Sequence, residues 1–328
     1  LTSQKNLIEN EKKIQRGALK NGLKYAFYPV ATRDNKTYAT LNLDFGSAES
    51  LFNQSEIVDL TAYLLLRASK QYSLQDITDK AIDAGGSASV TANGNDMTVQ
   101  IVAKKEKFEE FFQYIIQVLK NPAFSQREFD LIKSQSLSSL DRPYTEPETV
   151  ASLTLARLVE KYQPGDLRYH FEPDQAIQQL KAATNEQVQQ LYRQYFAMNH
   201  AQLAITGEFD AKKMQKIIQQ QFAQWNGKQK YQRIKDDYFV YPAQKVHVLS
   251  EQREFGHYQA LLTLPVGVDS ADAPAMIIFD YILGDSQLSS RLGQELREKK
   301  ALVYGFGSNM QLGDWDDSGA LSISANYT

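Results

Sequence analysis

Apolar residues along the first hundred positions change between the period of a strand and that of a helix. Every second residue of 39–45 is apolar, which is typical of a half-buried strand. The Asn21-Gly22 pair indicates a tight turn before another alternating segment. Helices are predicted at about residues 55–69 and from Ser73, where a Ser-x-x-Asp spacing is typical of a capping box. A pair of strands within 88–101 completes this first pattern.

The next stretch of the chain favours helices. One apolar helical stripe is formed by Phe108, Phe111, Phe112, Ile115, Ile116 and Leu119. Further helices are predicted from Ser125, over residues 146–162 and from Thr184. A strand at 203–206 and an amphipathic helix over 214–222 follow.

A polar stretch separates these elements from a second series. Residues 229–244 are predominantly polar, with charged runs such as Lys-Gln-Lys and Lys-Asp-Asp in and beside them. This composition predicts a linker. The elements predicted beyond it are strands at 246–248 and 258–264, helices at 274–283 and 285–299, and a hairpin of 303–309 and 320–326. Their order repeats the strand, two helices and hairpin of residues 23–102.

The repeated order predicts an α+β protein built from two tandem copies of one domain. Each copy would combine an antiparallel-rich sheet with helices packed on one face. Residues 1–228 would form the first copy, 229–244 the linker, and 245–328 the start of a second, truncated copy. We expect truncation because residues 320–326 alternate like a strand and the sequence stops directly after them.

Composition narrows the class of protein. The 328 residues are 42% hydrophobic and 23% charged, a balance typical of globular chains and not of disordered or fibrous ones. Lys and Arg number 36 against 39 Asp and Glu, for a net charge of -3. A nucleic-acid-binding protein needs a basic excess to neutralise phosphates, so that class is excluded. The absence of cysteine excludes disulfides, thiolate metal sites and cysteine nucleophiles.

The apolar segments also bear on membranes and processing. None reaches the roughly 20 residues that a membrane-spanning helix needs. The sequence starts at Leu1 without an initiator Met, and its first residues lack the apolar core of a signal peptide. We therefore expect a processed product or a piece of a longer protein.

The histidines do not form a metal motif. His170, His200, His247 and His257 are 30, 47 and 10 residues apart, whereas two ligands on one helix are typically about three or four residues apart. The chain has no Gly-x-Ser-x-Gly nucleophile segment. The Gly305-Phe-Gly307 segment lacks the third glycine of a dinucleotide-binding motif. Structural roles explain these residues better than a zinc, serine-hydrolase or dinucleotide site.

One segment towards the end of the sequence carries candidate chemistry. It reads Leu-Arg-Glu-Lys-Lys-Ala-Leu-Val-Tyr over 296–304, with Arg297 in the last turn of a predicted helix and Tyr304 in the following strand. Taken alone, Arg297 is a cation that the end of a helix favours. Tyr304, taken alone, is a tyrosine at the rim of a core.

The element order and three segments resemble the pitrilysin/insulinase family of zinc peptidases. The segments are Lys20-Asn-Gly-Leu-Lys24, Phe45-Gly46-Ser47 and the Arg297-to-Tyr304 spacing, and the resemblance covers nearly the whole chain. It implies repeated α+β domains arranged as two halves, which form a clamshell around an unfolded peptide. One half of such an enzyme carries H-x-x-E-H on a helix and a distal Glu ligand. The other half supplies an Arg and a Tyr, seven residues apart, that reach the bound peptide.

The zinc motif of the family is degenerate here. The run that corresponds to it, residues 60–67, has Ala62, Leu65 and Leu66 at the His, Glu and His positions, and Gln135 corresponds to the distal ligand. Alanine and leucine neither bind Zn²⁺ nor accept a proton. The chain is therefore similar to the C-terminal, zinc-free half of such a peptidase. We expect no cofactor in this segment and zinc in the companion half.

The resemblance makes Arg297 and Tyr304 the catalytic candidates. Attack on a peptide carbonyl produces a tetrahedral oxyanion, whose charge a cation and a phenolic donor would stabilise. The pair could equally hold the substrate backbone. The expected partners are an unfolded peptide and an N-terminal zinc-binding half, on the same chain or on a separate subunit. Related bacterial proteins are often exported, which favours the periplasm over the cytoplasm.

Two alternatives stay open at the level of sequence. The chain could be an inactive family member that acts as a structural or peptide-binding subunit because both halves have lost the metal. It could also be an unrelated α+β binding module in which the Arg–Tyr spacing is coincidental and Tyr304 is buried in a core. Metal analysis of the complete protein tests the first alternative, and a structure bears on the second.

Overall fold

A computed structural model describes residues 8–141, 144–249, 254–287 and 289–327. Within these ranges the strands are β1 (Gln15–Ala18), β2 (Lys24–Pro29), β3 (Lys36–Asp44), β4 (Ser87–Asn93), β5 (Asp96–Lys104), β6 (Ala201–Gly207), β7 (Gly256–Leu264), β8 (Val303–Gln311) and β9 (Gly319–Tyr327). The α-helices are α1 (Ser55–Leu64), α2 (Leu74–Asp83), α3 (Phe108–Lys120), α4 (Gln126–Leu140), α5 (Pro147–Leu158), α6 (Pro173–Ala182), α7 (Asn185–Tyr195), α8 (Ala211–Phe222) and α9 (Ala273–Asp280). Two π-helical segments follow α9, Tyr281–Asp285 and Gly293–Lys299. Over the described ranges, every helix is too short or too polar to span a membrane.

The chain forms two compact units that are not consecutive in sequence. Unit 1 comprises Leu1–Leu140, Gly165–Leu167 and Asp174–Arg233, and unit 2 comprises Asp141–Pro164, Arg168–Pro173 and Ile234–Thr328. The division between Arg233 and Ile234 falls within the predicted linker.

Unit 1 is built on a mixed six-stranded sheet in the order β1-β2-β6-β3-β5-β4. β2 and β6 run parallel, with Phe27 opposite Ile205, and the other neighbouring strands are antiparallel. The Asn21-Gly22 turn joins β1 to β2, and Gly22 has a φ of 103°, a conformation that glycine adopts without strain. The predicted combination of helices with an antiparallel-rich sheet is therefore present.

One face of this sheet is apolar and carries the core of unit 1. Along β3, Ala39, Leu41 and Leu43 are buried, whereas Tyr38 and Asn42 are exposed on the opposite face. The predicted stripe of α3 is completely enclosed in the core, together with apolar residues of α1, α7 and α8. The apolar faces of the helices and of the sheet therefore pack against each other in one contiguous core.

The capping box predicted at Ser73 is formed, and the helix predicted from Thr184 also begins with one. At the start of α2, Ser73 Oγ accepts a hydrogen bond from Asp76 N, and the Asp76 carboxylate accepts one from Ser73 N. Thr184 and Gln187 make the same reciprocal pair at the start of α7. These bonds satisfy amide groups that a helix terminus leaves without partners.

Unit 2 contains a three-stranded antiparallel sheet in the order β7-β9-β8. The β8–β9 hairpin forms where the sequence predicts one. Helix α5 packs against β7, and Ser152 Oγ donates a hydrogen bond to Gln259 Oε1 at 3.0 Å. The predicted boundary at residue 228 places α5 in the first domain, whereas these contacts make it part of unit 2.

The segment predicted as a linker is anchored to unit 2. Residues 234–244 form neither helix nor strand, but Lys161 Nζ donates a hydrogen bond to Asp237 O at 2.6 Å. Thr263 Oγ1 donates another to Phe239 O at 2.7 Å, and the Lys161 ammonium lies 3.9 Å from the centroid of the Phe239 ring. Side-chain contacts therefore hold this segment where secondary structure does not.

Several elements differ from the sequence-based expectation. Residues 246–248 are not part of a strand in the described part of the chain. Alternating apolar and polar residues favour a strand, but a strand forms only where the edge of another strand is available for pairing. The first predicted helix ends at Leu64 and continues as a turn. The helix predicted over 285–299 is interrupted, and its second part is the π-helical segment Gly293–Lys299. Helix α6 was not predicted.

Both units contain a strand, helices and a hairpin in that order. In unit 1 these are β3, α1, α2 and β4–β5, and in unit 2 they are β7, α9 with the π-helical segments, and β8–β9. The interpretation that they are two copies of one domain, the second truncated, stays a prediction.

The turn from α2 into β4 gives a stability prediction. A Cβ on Gly86 would overlap the carbonyl oxygen of Val102 in β5 and lie 2.8 Å from Ala103 Cα. We expect Gly86→Ala to lower the free energy of unfolding by about 2–3 kcal/mol, because β5 must shift to make room. Urea denaturation measures this loss.

Gly307→Ala is the control for this prediction. A Cβ on Gly307 meets no atom within 4 Å, so we expect a change below about 1 kcal/mol. Equal losses in the two variants would show that the close approach at Gly86 is not the cause.

Candidate functional site

The positions that the sequence predicts to correspond to the zinc motif lie in or against the core of unit 1. Ala62 is within α1 and is 3% exposed, and Leu65, in the turn after α1, is fully buried. Leu66 is half-buried and packs against the same core. Because α1 ends at Leu64, these positions are not presented on one continuous helix. Apolar packing accounts for each of them.

The position of the distal ligand is also unsuited to a metal. Gln135 lies on α4 and is exposed. Across the described ranges, no group of three or more His, Cys, Asp or Glu side chains is arranged to hold a metal ion. The residues present there do not fit a zinc site.

His170 belongs to a structural network in unit 2. Its Nδ1 lies 2.8 Å from Glu160 Oε2, which also accepts the His170 amide at 2.6 Å, and Glu160 Oε1 accepts the amides of Lys161 and Tyr162. Burial disfavours the charged form of Glu160, but these hydrogen bonds outweigh burial and lower the pKa of the carboxyl. The Glu160 carboxylate therefore holds the loop after α5 in place.

The other histidines are dispersed. His200 packs against the ring of Tyr231 with a centroid distance of 5.6 Å, and His257 Nδ1 lies 2.6 Å from Asn326 Oδ1. His247 is exposed. His200 and His257 therefore take part in local packing and hydrogen bonding.

Arg297 is placed in unit 2 within the π-helical segment Gly293–Lys299. Its side chain is exposed and makes no ion pair or hydrogen bond with another residue of the described ranges. Its neighbour Lys299, in contrast, pairs with Glu295 at 2.5 Å. The guanidinium group of Arg297 is therefore available to a ligand.

Tyr304 is placed at the start of β8 and is 55% exposed. The register between β8 and β9 shifts between Val303 and Gly305, so Tyr304 occupies an irregularity of the ladder. Such bulges redirect a side chain relative to its neighbours. The ring packs edge-on against Phe255 with a centroid distance of 5.5 Å. The exposure of Tyr304 is contrary to the unrelated-module alternative, which expects a buried tyrosine.

A tight turn connects the two candidates. Leu302 N donates a hydrogen bond to Leu296 O at 2.8 Å, and Ala301 adopts a left-handed φ of 48°. Left-handed residues are common where a helix ends. Local backbone bonds, and not distant contacts, therefore set the path from Arg297 to Tyr304.

A buried carboxylate that the sequence reading missed fixes β8. Asp280, the last residue of α9, accepts hydrogen bonds from Ser308 Oγ at 2.5 Å and from Met310 N at 2.8 Å. A buried charge needs such partners. The sequence offered one signal for this role, because Asp280 is an acidic residue within the largely apolar helix predicted over 274–283.

The sequence also gave no indication that two carboxylates near the start of α1, Glu56 and Asp59, are desolvated. Burial raises the pKa of Glu56 to about 7, with a further contribution from the Asp59 charge, and burial raises the pKa of Asp59 to about 6. The two residues lie one turn apart on the same side of α1. Desolvation of this kind depends on neighbouring elements, so the sequence carries no direct signal for it.

Comparison with known families assigns the C-terminal part of the chain. Residues 182–328 match the family model described as the peptidase M16 inactive domain. This part of the chain, slightly less than half of its length, is therefore similar to that inactive domain. The matched M16 region includes Arg297 and Tyr304 but not the run at 60–67. The predicted resemblance to the zinc-free half of a pitrilysin-like peptidase is confirmed.

Solved structures share the fold of the whole chain. A protease from Helicobacter pylori has a TM-score of 0.74 at 17% identity, over 96% of this chain and 75% of that one. The peptidase M16 inactive domain from Pseudomonas fluorescens has a TM-score of 0.73 at 19% identity, over 96% and 74%. The periplasmic protease PqqL from Escherichia coli has a TM-score of 0.68 at 15% identity, over 97% of this chain but only 36% of its own. No curated protein matches the sequence.

The raised pKa of Glu56 gives a pH prediction for the stability of the chain. The folded protein keeps the Glu56 proton up to about pH 7, because its pKa is raised, whereas the unfolded chain releases the proton near the ordinary glutamate pKa of 4.5. Wild-type stability is therefore lost as the pH rises through this window. Allowing for partial solvent screening, we expect Glu56→Gln to raise the free energy of unfolding by about 1–2 kcal/mol at pH 8. The gain should disappear at pH 4 in urea denaturation.

Glu110→Gln is the comparison variant. The hydrogen bond from Lys80 lowers the pKa of the exposed Glu110 carboxyl, so this variant should show no gain at pH 8. A pH-independent effect of Glu56→Gln would contradict the assigned cause.

Proposed function

We propose that the chain is the non-zinc-binding half of a clamshell zinc metallopeptidase. The observation that carries this proposal is the match of residues 182–328 to the peptidase M16 inactive domain. Burial of Ala62 and Leu65 in an apolar core supports it, because side chains used for packing are not available as ligands. The metal and the general base would belong to a companion half with an H-x-x-E-H motif.

The task of this half would be to bind and polarise the substrate. Arg297 and Tyr304 would donate hydrogen bonds to the carbonyl oxygen of the scissile peptide as negative charge develops on it. A charged donor and a phenolic donor stabilise such an oxyanion more than the neutral carbonyl, and this lowers the barrier. Both steps assigned to this half would use its own side chains, and the metal chemistry would belong to the companion half.

The placement of the pair supports this role. Both side chains are exposed in unit 2, and the Arg297 guanidinium has no ion-pair partner within the described part of the chain. The bulge at Tyr304 and the backbone bond from Leu302 to Leu296 position them through main-chain geometry. Sites held by rigid local geometry bind with little reorganisation.

The partners would be an unfolded peptide and an N-terminal zinc-binding half, on the same chain or on a separate subunit. The periplasm is the compartment we propose, because one structural relative is a periplasmic protease. The inactive-subunit alternative differs in a single observable, the metal content of the complete protein.

Metal content and activity test the division of labour. We expect the 328-residue chain to bind no stoichiometric zinc and to cleave no peptide, while the complete protein does both. Elemental analysis and hydrolysis of an unstructured peptide measure these properties. Tightly bound zinc in the isolated chain would refute the proposal, and a zinc-free complete protein would favour the inactive subunit.

Substitution of Arg297 tests the catalytic role. In the complete enzyme, we expect Arg297→Ala to reduce peptide hydrolysis by about tenfold or more, as the loss of an oxyanion donor does. A fall in kcat indicates stabilisation of the oxyanion, and a rise in KM alone indicates substrate binding. Tyr304→Phe removes only the hydroxyl and should act in the same direction.

Arg291→Ala is the matched control for this test. Arg291 is an exposed arginine at the start of the same helical stretch, and its replacement should leave both parameters within about twofold of wild type. Unchanged hydrolysis by both Arg297→Ala and Tyr304→Phe would remove the assigned role.

A further inference from the structure

Three Asn-Gly pairs occur in the chain, and the folded protein holds them differently. The pairs are Asn21-Gly22, Asn93-Gly94 and Asn226-Gly227. An asparagine followed by glycine is prone to deamidation, because glycine has no side chain to shield or restrict its main-chain nitrogen. That nitrogen must reach the asparagine Cγ, so the reaction needs both groups to be free of other contacts. None of the three pairs has a role in the function proposed above.

The second pair lies at the tip of the β4–β5 hairpin. β4 ends at Asn93, and a two-residue turn of Gly94 and Asn95 leads into β5. Asn93 is exposed, and no described residue makes a hydrogen bond with its side-chain amide. Within the described ranges the Gly94 amide donates no main-chain hydrogen bond, and a Cβ on Gly94 meets no atom within 4 Å. Neighbouring residues therefore restrain neither reacting group of this pair.

The first pair is held by hydrogen bonds. Asn21 Nδ2 donates to Phe222 O at 2.8 Å, and Asn21 Oδ1 accepts the Leu23 amide at 3.3 Å. The nitrogen that would attack, Gly22 N, donates to Leu19 O at 3.1 Å. Ring closure has to break these bonds, so the fold protects this pair.

The third pair is intermediate between the other two. Asn226 is exposed, and no described residue makes a hydrogen bond with its side chain. The backbone of Gly227 is closely packed, since a Cβ there would lie 2.4 Å from Asn199 Oδ1 and 2.6 Å from Ala197 Cβ. This packing restricts the rotation of the Asn226–Gly227 peptide that ring closure requires.

We propose that Asn93 is a site of spontaneous deamidation, a covalent modification that the open turn of the β4–β5 hairpin permits. Gly94 N loses its proton and forms a bond to Asn93 Cγ, while the bond from Cγ to Nδ2 breaks and Nδ2 leaves as ammonia. The product is a five-membered succinimide. Water then opens the ring without oxidation or reduction. Attack of water at Cγ gives aspartate, and attack at the main-chain carbonyl carbon gives isoaspartate, in which the chain runs through Cβ and Cγ.

The neighbours of Asn93 make the product consequential. Asn93 is directly opposite Asp96 of β5, which is itself directly opposite Asp44 of β3. Opposite residues of antiparallel strands place their side chains on the same face of the sheet, and like charges there are destabilising. Burial raises the pKa of Asp44, against the His200 charge, and burial and the Asp44 charge raise the pKa of Asp96. Deamidation therefore adds a third carboxylate to a row that already carries two.

The hairpin tip also anchors the end of unit 1. Asn95 O accepts the Phe45 amide at 2.9 Å, and Asn95 Nδ2 donates to Gln232 O at 3.3 Å. Gln232 N in turn donates to Gly46 O at 2.8 Å. Isoaspartate at position 93 lengthens the main chain by one atom directly before Gly94 and Asn95. The modification is therefore expected to weaken the anchor as well as to add charge.

This inference goes beyond the peptidase proposal and does not depend on it. The β4–β5 hairpin is in unit 1, whereas Arg297 and Tyr304 are in unit 2. Failure of either proposal would leave the other untouched.

The test incubates the 328-residue chain in a mildly alkaline buffer and follows each Asn-Gly pair by peptide mass spectrometry. We expect Asn93 to convert at least about tenfold faster than Asn21, because hydrogen bonds that add about 1.4 kcal/mol to the barrier slow a reaction by that factor. The rate at Asn226 should lie between these two. Methylation by an isoaspartyl methyltransferase measures the isoaspartate formed. Conversion of Asn21 or Asn226 before Asn93 would overturn the proposal.

Unfolding the chain distinguishes structure from local sequence. In concentrated urea the hydrogen bonds of Asn21 and the packing around Gly227 are lost, so we expect the three rates to become similar. A preference for Asn93 that persists unchanged in urea would show that the hairpin is not its cause.

Two variants of Asn93 test the consequence. Asn93→Gln should stop conversion at this position on the same timescale, because a glutamine closes its larger ring more slowly, and it adds no charge. Asn93→Asp is one of the products and should raise the unfolding equilibrium constant by about two- to fivefold relative to Asn93→Gln, the scale of an unfavourable cross-strand pair. Urea denaturation at neutral pH measures this difference. Equal stability of the two variants would contradict the role assigned to the carboxylate row.

Discussion

Burial of apolar side chains between one face of the six-stranded sheet and the helices above it is the constraint on which unit 1 depends. Helix α1 is part of that contact, and Ala62 and Leu65 are buried within it. Histidine and glutamate in these places would be desolvated, a cost that only a bound metal or new hydrogen bonds could offset. The apolar residues avoid this cost and make α1 a purely structural helix. The packing that stabilises unit 1 therefore leaves no metal-binding or proton-accepting side chain at residues 62 and 65.

Unit 2 relies more on polar anchors than on a deep core. Few of its apolar side chains are buried, and Leu262, Ile277 and Ile278 are each more than half exposed. Its strands are instead fixed by main-chain pairing and by the buried Asp280 carboxylate on β8. Hydrogen-bonded geometry of this kind is directional, whereas apolar packing is not. A unit held in this way can display exposed side chains, such as Tyr304, in defined positions without enclosing them.

The carboxylates of unit 1 show how one residue type takes opposite electrostatic roles. At the start of α1, burial without a compensating cation favours the protonated form of Glu56. At the start of α2, hydrogen bonds from Ser73 favour the ionised form of Asp76. The helix positions are similar, and the neighbours decide the outcome. Local acidity in this chain therefore follows from contacts more than from composition, which is nearly balanced.

The sequence by itself determined the elements with a strong period or a reciprocal cap: the enclosed stripe of α3, the half-buried β3, the β8–β9 hairpin and the starts of α2 and α7. It also identified the family resemblance, which places apolar residues at 62, 65 and 66, where the zinc helix of the family is expected. Only the tertiary structure decided that α5 joins unit 2, that residues 246–248 find no partner strand, and that Asp280 and Glu56 are desolvated. Periodicity reports which face of an element is buried, but pairing and desolvation depend on neighbours that are remote in the chain.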